Sequence, residues 1–326
     1  MESKKRIIID TDPGVDDAFA IMLALRSPEL HVEAITTVNG NTNLKQATEN
    51  ALRILEILDV AELPPVIKGA ARPLKRKALS STSIHGSDGL GEVSLLKDRR
   101  GKKKYPAPRL RPSGRNAPEA ICELARKYSG NLTLVTLGPL TNVAIALACD
   151  PWLSHHVKEI ITMGGAYSVC GNQTPAAEFN FFCDPEAAQK VIASGIPMTL
   201  VGLDVTLQAR LSRQALLDAT KKKTRLNRFL RDATEHVMNF YLERQGYHGC
   251  CVHDALAMMV AIDRNIVGTR RLHVDIETKG DLTAGMSVAD LRPYARGHVG
   301  KPNTDVALYV DPARFEQFLL ERVADR

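Results

Sequence analysis

Two kinds of apolar stretch alternate along this chain. Short β-branched runs, apolar at consecutive positions, are followed by longer stretches in which apolar residues return every third or fourth place. RIIID (6–10) predicts a strand, and DDAFAIMLALRS (16–27) the helix after it. The pairing repeats in VEAITTV (32–38) with LKQATENALRILEIL (44–58), and in NLTLVTL (131–137) with TNVAIALA (141–148). EIITMGG (159–165) leads on to DPEAAQKVIASG (184–195), with Asp184 as N-cap and Pro185 at the first helical position. PMTLVGLD (197–204) predicts a further buried strand, then come a helical pattern over 213–243 with a break and the helix VHDALAMMVAI (252–262). HVDIET (273–278) and DVALYV (305–310) predict late strands, and DPARFEQFLLERVA (311–324) an amphipathic closing helix.

Strands alternating with helices imply βαβ units, hence an α/β fold with a mostly parallel central sheet and helices on both faces. A segment rich in Pro, Gly and basic residues, 97–118, interrupts the pattern. The alternation resumes after it, so residues 1–326 read as one domain carrying an insertion. In open parallel sheets, ligands gather beyond the carboxyl ends of the strands. The unusual polar residues fall there repeatedly. Asp12, Asp16 and Asp17 follow the first strand, Asn41 the second, GPLTN the third and MGGAYSVCGNQTPAAEFN the fourth, while His253 and Asp254 open a later helix.

Composition narrows the class without changing it. With 44% hydrophobic and 25% charged residues, the chain is ordinary globular protein. The six cysteines form no CxxC pair and no metal-ligand spacing, which fits a reducing compartment. The apolar run Ile7–Ile9 is too short for a signal-peptide core, and no stretch is long enough to cross a membrane, so a cytoplasmic protein is expected. The formal charge of +6 invites a nucleic-acid role. Residues 97–111 alone hold eight basic side chains and one acidic, a net of +7, which leaves the rest of the chain at −1. The basicity is that of one solvated loop, and no nucleic-acid partner is expected.

The chemistry concentrates in IIIDTDPGVDDA (7–18), where Asp10, Asp12, Asp16 and Asp17 crowd between two apolar runs. Pro13 and Gly14 turn the chain, so Asp12 ends the strand and Asp16 and Asp17 begin the helix. Helix capping explains one aspartate there. Three close carboxylates need a counter-charge, and no Lys or Arg lies in the segment. All-oxygen ligation points to Ca²⁺ or Mg²⁺. An EF-hand fails on spacing: counted from Asp10, the glycine is fifth rather than sixth and the twelfth residue is Ile21. A phosphatase with Asp10 as nucleophile is a second possibility, which the Pro-Gly and the Asp16–Asp17 pair fit poorly.

DTDPGVDDA resembles the N-terminal signature of the inosine-uridine preferring nucleoside hydrolases, and the likeness continues in order. TTVNGNTN, SIHGSDGLG, LVTLGPLTNVA, ITMGGAY, NQTPAAEFNFFCDPEAA and VHDALAM are all similar to family segments, from about residue 6 to 262. The resemblance implies a Rossmann-like nucleoside hydrolase architecture and a Ca²⁺-dependent N-ribohydrolase acting on small ribonucleosides. It implies Asp12, Asp17 and Asp254 as carboxylate ligands of Ca²⁺, with the Leu137 carbonyl completing the set and Asp12 also the base. By the same match Asp16, Asn180 and Asp254 hold the 2′- and 3′-hydroxyls, and Asn172 and Glu178 the 5′-hydroxyl. Met163 packs near the sugar and Asn41 lines the pocket.

An anionic pocket also suits the oxocarbenium-like character that develops when an N-glycosidic bond breaks. His253, beside Asp254, is the first candidate for the acid that helps the base depart, and His85 the second. The resemblance, with both histidines present and Trp152 as the sole tryptophan, points to uridine, cytidine or broad specificity. Tyr241 is a candidate to stack on the base, and Tyr247 shares its stretch of chain. A homodimer or homotetramer is expected by the same likeness. A non-catalytic nucleoside or ribose binder is the rival from another class; it would bind without turnover.

Overall fold

The computed structural model describes residues 4–60, 62–292 and 300–325. The first half runs β1 (Lys5–Thr11), α1 (Val15–Leu25), β2 (Leu30–Thr37), α2 (Leu44–Leu58), β3 (Val66–Lys68), β4 (Ser113–Asn116) and α3 (Ala117–Lys127). Then follow β5 (Leu132–Thr136), α4 (Thr141–Cys149), β6 (Val157–Met163), α5 (Phe179–Cys183), α6 (Pro185–Ile192) and β7 (Met198–Val201). The chain ends with α7 (Arg225–Gln245), α8 (His253–Ile262), β8 (Val267–Leu272), β9 (Thr304–Val310) and α9 (Pro312–Val323).

These strands form one nine-stranded sheet in the order β8-β9-β7-β6-β5-β1-β2-β3-β4. Every neighbouring pair is parallel except β8 with β9. Strand β1 shows why both faces are covered. Ile7 and Ile9 point into one apolar cluster and Ile8 into another, and none of the three is exposed. Consecutive side chains on a strand face opposite ways, so an unbroken apolar run needs a partner layer on each side. Helices α1 and α8 pack together on the Ile7 side, and α3, α4 and α6 join the Ile8 side.

The α/β alternation expected from the pattern is present, as is the break within 213–243, and differences lie elsewhere. The helical stretch at 213–243 is two helices, Arg213–Ala219 and α7, and Thr224 caps the second by accepting from the Asn227 backbone N–H. HVDIET stays out of the main sheet: Val274–Ile276 pairs with Ser287–Ala289 in a separate antiparallel ladder. The last strand on that side is instead VGTRRL, whose polar middle, residues 268–271, is exposed and hides its strand character. Within the basic segment 97–118, residues 113–118 already belong to β4 and α3. The preceding part folds back on itself through a Lys97–Lys103 bridge. It is pinned by Tyr105, whose ring meets Phe229 edge-on at 5.4 Å and whose hydroxyl donates to Asp232 at 2.8 Å.

Candidate active site

Strand β1 leads outward to β2 on one side, whereas β5, its other neighbour, leads to β6 on the opposite side. Chains diverging this way open a crevice at the carboxyl ends of β1 and β5. Asp12 is the first residue past β1, Leu137 the first past β5, and Met163 the last of β6. Asn41 lies in the loop after β2, and the first turn of α8 brings His253 and Asp254 to the same rim. The crevice is a cavity of about 460 Å³. Of the expected site residues, Asp16, Asn41, His85, Leu137, Met163, Asn172, Glu178, Asn180, Tyr241, His253 and Asp254 line it.

The carboxylates are held by the backbone around them. Gly14 caps α1, and its N–H donates to Asp17 Oδ2 at 2.7 Å; the Asn41 side-chain amide donates to the same oxygen at 3.2 Å, and Thr11 donates its hydroxyl to the other. Asp12 Oδ2 accepts the Asn41 N–H at 2.6 Å. Two glycines make this approach possible, because a Cβ on Gly40 or on Gly138 would collide with the Asp12 carboxylate. Ligand oxygens of Asp16, Asp17 and Asp254 lie within 4.8 Å of one another. Asp12 adjoins this trio closely enough for its charge and theirs to oppose each other.

All four carboxyls are pushed above the usual range. Burial is the main cause in each; repulsion among neighbours adds to it for Asp12, Asp17 and Asp254, while the nearby His253 works against it for Asp16. Asp12 Oδ1 and Asp16 Oδ1 are buried without a hydrogen-bond partner. Orphaned anionic oxygens, all hard donors, fit a divalent cation of the Ca²⁺ or Mg²⁺ type.

Beside them, the Asn180 amide donates to the Leu137 carbonyl at 2.7 Å and the Met163 carbonyl at 3.2 Å, tying the ends of β5 and β6 together. Glu178 caps α5 by accepting from Asn180 N and Phe181 N, and it also accepts from Gly165 N. Burial still raises its carboxyl to about 7 against those three bonds. Asn172 Oδ1 accepts from Phe179 N at 2.9 Å.

The two histidines are anchored differently. His85 Nδ1 accepts the Val15 N–H at 3.2 Å. A backbone N–H can only donate, so Nδ1 keeps its lone pair and the ring hydrogen sits on Nε2. Burial pushes this ring down to about 4. His253 Nδ1 instead shares a hydrogen bond of 2.8 Å with the Thr206 hydroxyl, and burial lowers its pKa while Asp16 partly restores it.

Away from the carboxylates the wall is apolar, formed by Ile84, Leu203, Leu207, Val237, Phe240 and Tyr241. Sequence reasoning found only Tyr241 among these. Val237, Phe240, Tyr241 and Gln245 share a face of α7, so a helical period was available as a signal, although such a face ordinarily reads as core. Thr206 carried no signal at all. Trp152 is 66% exposed and outside the cavity, and Tyr247 lies outside it with the Arg210 guanidinium 4.8 Å from its ring centre. Cys251 lines the cavity, and Cys250 is buried behind it.

Asp10 is bound into the packing between β1, β2 and α4. It is 1% exposed, absent from the cavity, and accepts from Thr36 and from the Asn142 amide at 2.7 Å. Burial raises it to about 6. With one carboxylate oxygen committed to Thr36 and Asn142, Asp10 gives the aspartyl phosphatase reading no support.

Sheet and pocket together define an α/β enzyme with an all-oxygen carboxylate centre at its switch point. The family model for inosine-uridine preferring nucleoside hydrolases matches residues 7–317, and the chain belongs to that family. It is 37% identical to the inosine-uridine preferring nucleoside hydrolase of Crithidia fasciculata, covering 98% of this chain and 99% of that one. Identity is also 37% to the pyrimidine-specific ribonucleoside hydrolase RihA of Shewanella sp. (strain MR-4), over 98% of this chain and 96% of the relative. The solved purine-preferring ribonucleoside hydrolase from Gardnerella vaginalis superposes with a TM-score of 0.88 at 32% identity, covering 98% of each chain. The protein is a nucleoside hydrolase.

Proposed function

We propose that this chain cleaves the N-glycosidic bond of ribonucleosides with a Ca²⁺ ion held by Asp12, Asp17, Asp254 and the Leu137 carbonyl. Ribose and the free base are the products. One observation carries this reading: buried carboxylates converge on a cavity to which no described lysine or arginine contributes. When bound, the cation supplies the missing positive charge and acidifies a water molecule.

The chain's own residues do the rest. Asp12 Oδ1, free of protein partners, accepts the proton of the attacking water. Asp16, Asn180 and Asp254 hold the 2′- and 3′-hydroxyls, Asn172 and Glu178 the 5′-hydroxyl, with Met163 against the sugar and Asn41 fixing Asp12 and Asp17. As the C1′–N bond breaks, its electron pair leaves with the base, and the carboxylates favour the positive character left on the ribosyl group. His253 Nε2 supplies the proton to the departing base. His85, whose Nδ1 is taken by Val15, offers a hydrogen bond from Nε2.

Tyr241 and its neighbours face the base. With the only tryptophan outside the cavity, the wall suits uridine and cytidine or a broad range of bases. Release of ribose from uridine, cytidine and inosine, measured with and without a chelator, tests the whole reading. Turnover is expected only with the metal. Full activity in metal-free protein, or in Asp12→Ala, would overturn it.

A further inference from the structure

We propose that Thr206 is a positioning residue that aims His253 at the leaving base; this rests on His253 being the leaving-group acid. Thr206 is fully buried, and its hydroxyl is the partner of His253 Nδ1. His253 Nε2 has no hydrogen-bond partner among the described residues, and the ring lines the cavity. One nitrogen is therefore engaged by the protein and the other is left for a ligand.

The turn that carries Thr206 is itself fixed. Leu203 N donates to Gly165 O at 2.8 Å, and the Asp204 carboxylate accepts from Tyr167 N at 2.9 Å and Ser168 N at 2.8 Å. The same stretch holds the backbone next to the histidine, since Val252 N donates to Ala209 O at 3.0 Å. Ring and backbone of His253 are thus referenced to a single rigid stretch, residues 203–209. Leu203 and Leu207 of that stretch line the cavity, with Thr206 engaging the ring between them in sequence.

The chemistry of the partner matters as much as its place. A hydroxyl can donate to Nδ1 or accept from it by rotating its own hydrogen. The bond to the ring therefore survives whether Nε2 holds its proton or has given it up. The Val15 N–H that holds His85 lacks this freedom, because it can only donate. The two cavity histidines are alike in type and distinct in what their partners permit.

The test compares substrates that do and do not need an acid. Nucleosides require help for the departing base, whereas p-nitrophenyl β-D-ribofuranoside releases a stable phenolate unaided. In the metal-loaded full chain, Thr206→Val should lower kcat on uridine and inosine by about 10- to 100-fold, a part of the roughly hundredfold to ten-thousandfold that acid catalysis supplies. The nitrophenyl riboside should change by less than about twofold, and Thr206→Ser should restore nucleoside turnover. His253→Ala provides the reference and should show the same selectivity, more strongly. Equal losses on both substrates in Thr206→Val, beside a selective His253→Ala, would overturn the positioning role. So would undiminished nucleoside turnover in Thr206→Val. Equal losses in His253→Ala would instead overturn the acid assignment. Should the valine variant not fold, Thr206→Ala reads the same substrate ratio.

Discussion

The two ends of the cavity are built in opposite ways. At the carboxylate end the acidic groups sit on strand ends and helix first turns, and backbone amides fix them: Gly14 on Asp17, Asn41 on Asp12, and Gly165, Asn180 and Phe181 on Glu178. At the apolar end the surface is the packed side chains of α7 together with Leu203 and Leu207 of the hydrogen-bonded 203–207 turn. Backbone-fixed charges are pre-aimed and cost little to reorganise, which suits the bond-breaking chemistry. Side chains on one helix can be exchanged without disturbing the sheet, which suits selection of the base. The fold separates what must stay constant from what can vary.

Asp12→Asn is the most severe test of that division. It keeps the shape of the carboxylate end and removes the proposed base, so kcat/KM should fall by about a thousandfold on every nucleoside. The metal-free variant should melt no lower than the parent, since one of several mutually repelling buried charges has gone. A base-dependent loss would break the division.

The next effect comes from the cation. Asp12, Asp16, Asp17 and Asp254 have folded-state values above their usual ones, as do Glu178 at about 7 and Asp10 at about 6. Groups raised on folding contribute stability that is present below their unfolded values and is lost as pH rises through the folded ones. Metal-free protein should therefore melt progressively lower as pH rises through about 6 and about 7, while the lowered His85 and His253 oppose this at the acid end. Saturating Ca²⁺ should flatten that slope, and Glu178→Gln should remove part of it, both read by calorimetry. A flat profile without metal would show that the cluster is less strained than its burial implies.

Smaller effects belong to the other end. Phe240→Ala should change the ratio of kcat/KM for uridine and inosine by up to about tenfold, the scale of a lost apolar contact, with ribose-end chemistry retained. Least of all should follow from replacing Arg99, Arg100, Lys102 and Lys103 by glutamine. These exposed side chains lie outside the cavity, so kcat should stay within about twofold and stability within about 0.5 kcal/mol.

The same division governs what could be read from the residues alone. Asp12, Asp16 and Asp17 stand within six positions of one another, and charge crowding beside an apolar strand is visible without a fold. Helix α2 was legible to the residue, because its apolar period is strong and Asn43 and Asp59 bound it. Strand β8 was not, because only Val267 and Leu272 at its two ends are buried. Phe240 and Val237 look like core from their spacing, and only the closing of α7 over the rim turns them into pocket. Thr206 is one threonine among many until the 203–209 turn meets α8. Contacts of long sequence separation have no local signature.

The sheet also ends in a way that limits its company. On one border, β8 presents Thr269, Arg270 and Arg271 to water, with Arg271 paired to Asp305 at 3.3 Å; on the other, short β4 exposes Gly114, Arg115 and Asn116. Charged or abbreviated borders discourage another strand from annealing to them. These borders favour helices and loops, rather than extension of the sheet, as the surfaces through which copies of this chain would meet.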